Sequence, residues 1–378
     1  MNTLPFRGCI LHFNKLPLTY VNSIHISPPY PSNNHKRNPK NIAIMKKTLT
    51  TLLTLLTAFT VIACASDKTT VTYHTSTQHE KASVGKTTTH NYDCTGFTVI
   101  DCSTIANIHY TQGKDYSVRL ETNIPWKPKF NVTGKTLHIT EGKSDGTVNV
   151  TGKAIMDVYI TSPDLRAVNL SYTSNFYAGT IKGERLKIAT SGATNVNVDA
   201  VDCTTFIVDT DGMTTLTVGG LTSTQSIINM AGATNMTIDN AQCGSLKVNS
   251  AGACNLHLNK AVTNTLTLDE DGMTTIDMDA SAKTATVNVA GASNNTLRLK
   301  ADRTTLDVSG ACSANLTLRG GTLNVSAAGM SSVNADLAVN SVTADCTMTS
   351  SITLSGTAKD IHLDDDNDSI HTKGLKRK

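Results

Sequence analysis

Aromatic residues are scarce in this chain. They make up 4% of its 378 residues, tryptophan occurs once, and none follows Phe206. Aromatic side chains supply many interface anchors, so a binding surface built on them is confined to the first part of the chain. No histidine-plus-nucleophile arrangement, zinc-ligand spacing or phosphate-binding loop occurs, which leaves catalysis without a recognisable motif. No apolar run makes a comfortable membrane span; Leu49 to Ile62 is short and interrupted by threonines. Acidic residues are missing from residues 1–63, which hold seven Lys or Arg. The formal net charge of +3 arises there, and the remainder carries 26 basic against 30 acidic side chains. That balance gives no reason to expect nucleic acid as a partner.

What the chain does have is a period. Gly192, Gly212, Gly232, Gly252 and Gly272 recur at a constant interval, and Gly291, Gly310 and Gly329 follow at an interval shorter by one. Tyr172 and Met348 fill the same slot at either end. A fixed period of roughly 20 residues means a solenoid, in which each repeat is one coil stacked on the last. Ile188, Val208, Ile228 and Val248 lie four residues before successive glycines, and Val198, Val218, Ile238 and Leu258 lie six after. Around both columns apolar and polar residues alternate, as in Leu246-Lys247-Val248. That is the two-residue period of half-buried strands. The dense leucine pattern and helical segment of leucine-rich repeats are missing.

The expected fold is therefore all-β: a single-stranded, right-handed parallel β-helix of about 19–20 residues per coil, with an N-terminal β cap. The hand follows from the general preference of parallel crossovers. The glycine suits a crowded bend where backbones pass closely. About nine coils are expected at the strand spacing of roughly 4.8 Å. Asn229 and Asn249 lie three residues before a glycine, Asn235 and Asn255 three after. Such columns predict side-chain ladders along the stack.

Charged Met45-Lys46-Lys47 opens an export segment that ends in Val61-Ile62-Ala63-Cys64. This resembles the lipobox of bacterial lipoproteins, whose cysteine carries the lipid. The resemblance marks residues 45–63 as a signal peptide and Cys64 as the lipidation site. An ordinary signal peptide with an incidental cysteine is the alternative. Residues 1–44 read as an upstream extension, with translation starting at Met45. Residues 64–91 are polar and read as the lipidated cysteine and a flexible tether. Residues 92–165 read as a cap over the apolar end and open strand edge of the coils at 166–355. Residues 356–378 read as a frayed tail. Its Asp364-Asp365-Asp366 lacks the spacing of a 12-residue calcium loop, and no metal or other cofactor is expected.

Phe97-Thr-Val-Ile-Asp101, Ile108-His-Tyr-Thr-Gln-Gly113 and Tyr116-Ser-Val-Arg-Leu120 follow one another before Leu137-His-Ile139 and Val158-Tyr-Ile-Thr-Ser-Pro163-Asp-Leu165. In that order they resemble the adhesin head domain called GIN, over about residues 92–355. Tyr172-Thr173 and Met348 depart from its glycine pattern. The resemblance implies an exported bacterial envelope protein with a single-stranded β-helix and a role in adhesion.

Nine cysteines occur. Cys203 and Cys243 share a column two coils apart, roughly 10 Å by strand spacing, and Cys254 and Cys312 lie three coils apart. A disulfide needs Cα atoms within about 7 Å, so these read as small buried fillers. Cys94 with Cys102 is the one pair that a turn could join. Asp199, Asp239 and Asp279 share the column seven after the glycine, two coils apart, too far for a tight retaining glycosidase pair and near the outer limit for an inverting one.

The function expected from this is non-catalytic binding or scaffolding at the cell envelope, with a glycan or a surface protein as ligand. The membrane partner is reached through the lipid anchor, at the outer membrane, on its periplasmic or its surface side. A polysaccharide lyase or hydrolase on the same scaffold is the alternative. The ligand face is expected at Trp126, Tyr172 and Tyr177, in or beside the cap. Most other aromatics are expected to pack the cap's core.

Overall fold

The computed structural model describes residues 79–142, 147–151, 153–365 and 368–378. The extension at 1–44, the signal peptide at 45–63 and Cys64 lie outside the described residues. Eighteen strands and no helix occur among the described residues. In chain order they are β1 (His79–Ser83), β2 (Thr88–Tyr92), β3 (Val99–Ser103), β4 (Ala106–Gln112), β5 (Ser117–Thr122) and β6 (Lys129–Thr133). Next come β7 (Thr136–Thr140), β8 (Thr147–Thr151), β9 (Met156–Ser162), β10 (Ala167–Tyr172), β11 (Ser174–Thr210) and β12 (Met213–Gly291). The last are β13 (Asn294–Val308), β14 (Ser313–Arg319), β15 (Thr322–Ala327), β16 (Ser332–Cys346), β17 (Ser351–Asp365) and β18 (Ile370–Arg377).

Among the described residues, one unit holds 79–84, 147–151 and 153–154. Within it β1 and β8 pair in parallel, from His79 opposite Thr147 to Ser83 opposite Thr151. The second unit, residues 85–143 and 155–378, is a parallel β-solenoid of about 11 turns. β11 and β12 are so long because hydrogen bonding between coils continues through the bends.

The column reading holds residue by residue. Val208 lies opposite Ile228, and Val198 opposite Val218. All four are buried, and each such aliphatic contributes roughly 1.5–3 kcal/mol on leaving water. The polar ladders form as well. Asn249 Nδ2 donates to Asn229 Oδ1 at 2.6 Å, and Asn229 Nδ2 to Asp209 Oδ1 at 2.7 Å. Asn255 Nδ2 donates to Asn235 Oδ1 at 2.7 Å.

A second polar column lies inside. Two residues after each glycine stand Thr194, Thr214, Thr234, Cys254, Thr274 and Ser293, all buried. Hydroxyls in this column close the bend. Thr234 Oγ1 donates to the Ala231 carbonyl at 2.9 Å and Ser293 Oγ to the Ala290 carbonyl at 3.2 Å. This is a recurrent Ser/Thr turn. Thr190 and Thr214 hydroxyls meet at 2.8 Å, and Thr210 and Thr234 at 2.9 Å, so the column also links neighbouring coils.

The segment read as a cap is built differently from that expectation. β3 pairs in parallel with β10 on one side and β7 on the other, and β4 pairs with β11 and β9. β3 with β4, and β7 with β9, thus supply two further coils, which raises the count above nine. Their order in space differs from their order in sequence. The coil β3–β4 lies between the coil β7–β9 and the coil that begins at β10. The link from β9 to β10 crosses it, and Gln112 holds the crossing. Its Nε2 donates to the Pro163 and Lys182 carbonyls at 2.9 and 2.8 Å, and its Oε1 accepts from the Lys182 N–H at 2.8 Å. Antiparallel strands end the stack here: β6 on β7, and β5 on β9 with β2 beyond it.

Two composition-based expectations differ from what is seen. At the end of 64–91 the chain is not tether but enters β2, recruited because β5 leaves an open edge that a strand can satisfy. Within 356–378, the tail continues the solenoid as β17 and β18, covering Ile352 and the edge of β17. Cys94 and Cys102 are separate free thiols. Cys203, Cys243, Cys254 and Cys312 are free and buried, as the column spacing requires.

Candidate functional site: a stacked row on the first coils

Four outward side chains line up across four neighbouring strands. Arg119 of β5 lies opposite Tyr159 of β9, Tyr159 opposite His109 of β4, and His109 opposite Tyr177 of β11. Period 2 puts them outside. Val158 and Ile160 flank Tyr159 and are buried, as are Ile108 and Tyr110 around His109 and Phe176 and Ala178 around Tyr177. The Arg119 guanidinium sits 4.3 Å from the Tyr159 ring centroid, a cation–π contact. The Tyr159 and His109 rings stack at 4.9 Å, and the His109 and Tyr177 rings at 5.3 Å, each pair inclined by 18°. These separations match the strand spacing, so the backbone register itself sets the stack.

A polar row runs beside it. Glu121 lies opposite Asp157, Asp157 opposite Asn107, and Asn107 opposite Asn175. Asn175 Nδ2 donates to Asn107 Oδ1 at 2.7 Å, and Asn107 Nδ2 to Asp157 Oδ1 at 2.8 Å. Asp157 Oδ1 is 3.7 Å from His109 Nε2, and Glu121 pairs with Arg119. The Tyr159 phenol is raised above its usual pKa, first by desolvation and then by the Glu121 and Asp157 carboxylates, against the opposing Arg119. It stays protonated and can donate a hydrogen bond. Because the rings face one another, the row offers edges to a partner: phenol hydroxyls, imidazole and guanidinium nitrogens, carboxylates and amides. That chemistry suits recognition of a polar surface. No nucleophile in the row is held by a base.

The three residues expected at a ligand face occupy separate elements. Tyr177 belongs to the row. Tyr172 is 41% exposed, with φ of 61°, and ends β10 at the corner, opposite Gly192. Trp126 is half-buried in the segment between β5 and β6. The sequence pattern does not group Tyr159, His109 and Arg119 with Tyr177. Alternation with buried neighbours marks each as outward, but nothing in it says which strands adjoin. Phe97, Tyr110, Phe176 and Phe206 are buried core, as expected for most of the aromatics.

The carboxylate column behaves as its spacing implied. Asn259 stands between Asp239 and Asp279 and donates to Asp239 Oδ1 at 2.8 Å, and Asp279 lies opposite Arg298. Among the described residues, no group of three or more His, Cys, Asp or Glu is arranged to hold a metal ion.

No curated protein matches the sequence. Several solved structures are similar to it. A putative adhesin from Bacteroides fragilis is 18% identical, with 72% of this chain and 99% of that one covered and a TM-score of 0.36. A putative lipid binding protein from Parabacteroides distasonis is 14% identical, covering 73% and 99%, with a TM-score of 0.40. A putative adhesin from the same organism is 16% identical, covering 76% and 100%, with a TM-score of 0.41. Residues 96–263, which include all four members of the stacked row, match the model of a domain family. That family is described as the putative auto-transporter adhesin, head GIN domain.

Proposed function

We propose that this protein is a non-catalytic binding module of the bacterial cell envelope, held to the membrane by a lipid on Cys64, with its ligand face on the first coils. The carrying observation is the Arg119–Tyr159–His109–Tyr177 stack with its flanking carboxylates and amides. Tyrosine and arginine dominate binding hot spots because they combine contact area with directed hydrogen bonds. Here they gather on one outward strip. The family description, an adhesin head, agrees in kind. The ligand classes that fit are a glycan or a surface protein.

A glycan array run beside a polysaccharide depolymerisation assay tests the reading. Specific retention without turnover is the expected result, and retention should fall at least tenfold in the Tyr159→Ala/Tyr177→Ala double variant. New reducing or unsaturated chain ends would instead establish the enzyme alternative. The anchor has its own test. Replacing Cys64 with serine should abolish lipid labelling and move the protein from the membrane fraction to the soluble one. Equal labelling of both forms sinks the lipoprotein reading. Protease shaving of intact cells then distinguishes the surface from the periplasmic side of the outer membrane.

A further inference from the structure

A groove of about 570 Å³ runs beside the glycine corner, on the strand faces of β10, β11 and the start of β12. It is a different surface from the stacked row. It exists because one ladder loses a rung. The column three residues before the glycine reads Asp101, Asn169, Ala189, Asp209, Asn229 and Asn249. At one end Asp101 Oδ2 is held by His138 Nδ1 at 2.9 Å. At the other, Asp209, Asn229 and Asn249 are joined by amide hydrogen bonds. Between them Ala189 offers only a methyl group, so Asn169 and Asp209 stand two strand spacings apart, roughly 10 Å. Asn169 makes no side-chain hydrogen bond among the described residues. Lys187 reaches in from the adjacent column, its Nζ 2.7 Å from Asp209 Oδ2.

The lining selects a chemical class. Burial disfavours the Asp209 carboxylate, but the Lys187 ammonium and the Asn229 amide outweigh it and hold its pKa below the usual range. An ionised carboxylate accepts hydrogen bonds from two neighbouring hydroxyls. The Lys187 ammonium and the Asn169 amide donate, and the Asn169 carbonyl accepts. The Ala189 methyl belongs to an apolar floor that includes Leu170 and Met230. Asp101, Asp209 and Asp211 disfavour an anion, and Lys187 disfavours a simple cation. A wholly apolar ligand would offer the Asn169 amide and the Lys187–Asp209 pair no hydrogen-bond partner. A neutral polyol with one C–H face meets every one of these conditions, and the volume lies within the roughly 300–1,000 Å³ of small-ligand clefts.

We propose that the groove is a saccharide subsite, seating a pyranose ring over Ala189 with a vicinal diol on Asp209. It stands independently of the stacked row. Saturation-transfer NMR on the full chain tests it with methyl α-mannopyranoside, methyl β-galactopyranoside and methyl β-glucopyranoside, each titrated separately. At least one should bind the native protein. Ala189→Asn restores the missing rung with the residue the column already uses, so the coil should fold with an unchanged melting temperature while binding falls tenfold or more. Asp209→Asn keeps the ladder, removes the carboxylate and should weaken binding likewise. The Tyr159→Ala/Tyr177→Ala variant should bind these pyranosides as the native protein does. Absence of binding by all three pyranosides overturns the subsite, as does undiminished binding by Ala189→Asn. Binding lost in the tyrosine variant and kept in Ala189→Asn assigns the saccharide to the stacked row and overturns the groove.

Discussion

Replacing Gly252 with alanine will melt the coils around it, at a cost of roughly 3–5 kcal/mol from two additive causes. The first is the backbone. Gly252 has φ of 144°, a region that residues with a Cβ rarely adopt. The second is the neighbouring coil. A Cβ at this position would lie 2.6 Å from the Gly232 carbonyl oxygen and 2.9 Å from its nitrogen, and neither is the movable end of a side chain. A solenoid passes such damage to adjoining repeats, because each coil is stabilised by its neighbours. Gly220→Ala is the matched control. The nearest atom to its Cβ would be Ala200 Cβ at 3.7 Å, an ordinary contact. That variant should stay within about 0.5 kcal/mol of the native protein. Urea unfolding of both variants decides the matter. Equal midpoints would mean that the corner tolerates a side chain, and that the glycine column has another cause.

Glu270→Gln is expected to do the opposite and stabilise the protein above neutral pH. Glu270 faces the solenoid interior and is 3% exposed. Its Oε2 accepts from the Asn295 amide at 2.9 Å and from the Thr274 hydroxyl, while Oε1 has no partner among the described residues. Desolvation raises its pKa, only partly offset by hydrogen bonds from Thr274, Asn295 and Ser293. The Cys312 thiol is raised too, first by its own burial and also by the Glu270 charge. With the folded pKa of Glu270 above the unfolded value, the native state binds the extra proton. The resulting stability is fully present below the unfolded pKa and is lost as pH rises through the folded one. Glutamine keeps the shape and cannot ionise. Its advantage should therefore be small in mild acid and grow with pH, to roughly 1–3 kcal/mol, the cost of leaving a buried polar group unsatisfied. Melting curves of both proteins from mild acid to mild alkali read this directly. An advantage that stays constant with pH removes ionisation from the explanation.

Glu270 also marks an irregularity in the stack. The step from Gly272 to Gly291 is the first to fall one short of those before it. In that coil Asn295 lies opposite Ile276, in a core column that elsewhere carries Val196, Leu216 and Leu256. Its Oδ1 accepts the Ile276 N–H at 3.0 Å while its amide holds Glu270. The two buried polar groups therefore satisfy each other in part where the period changes.

The period alone determined the coils. Once Val208 and Ile228 occupy the same slot of successive repeats with alternating neighbours, only stacking buries both, and the Asn columns must then meet as ladders. The hydroxyl column is equally legible, since Ser, Thr or Cys recurs two residues after the glycine from Thr194 onward, though its inward direction is the reverse of what polarity suggests. Buried hydroxyls are tolerated there because they close the bends. Tertiary structure decided what happens before Leu165, where the period is absent. The coil β3–β4 is inserted between two later coils, so Tyr159 and Tyr177 reach His109 from opposite sides although both lie far from it along the chain. Alternation assigns each of these side chains to the outside, because it depends only on adjacent residues. Which outward side chains become neighbours depends on strand order, and strand order is set by long-range pairing that no local pattern encodes.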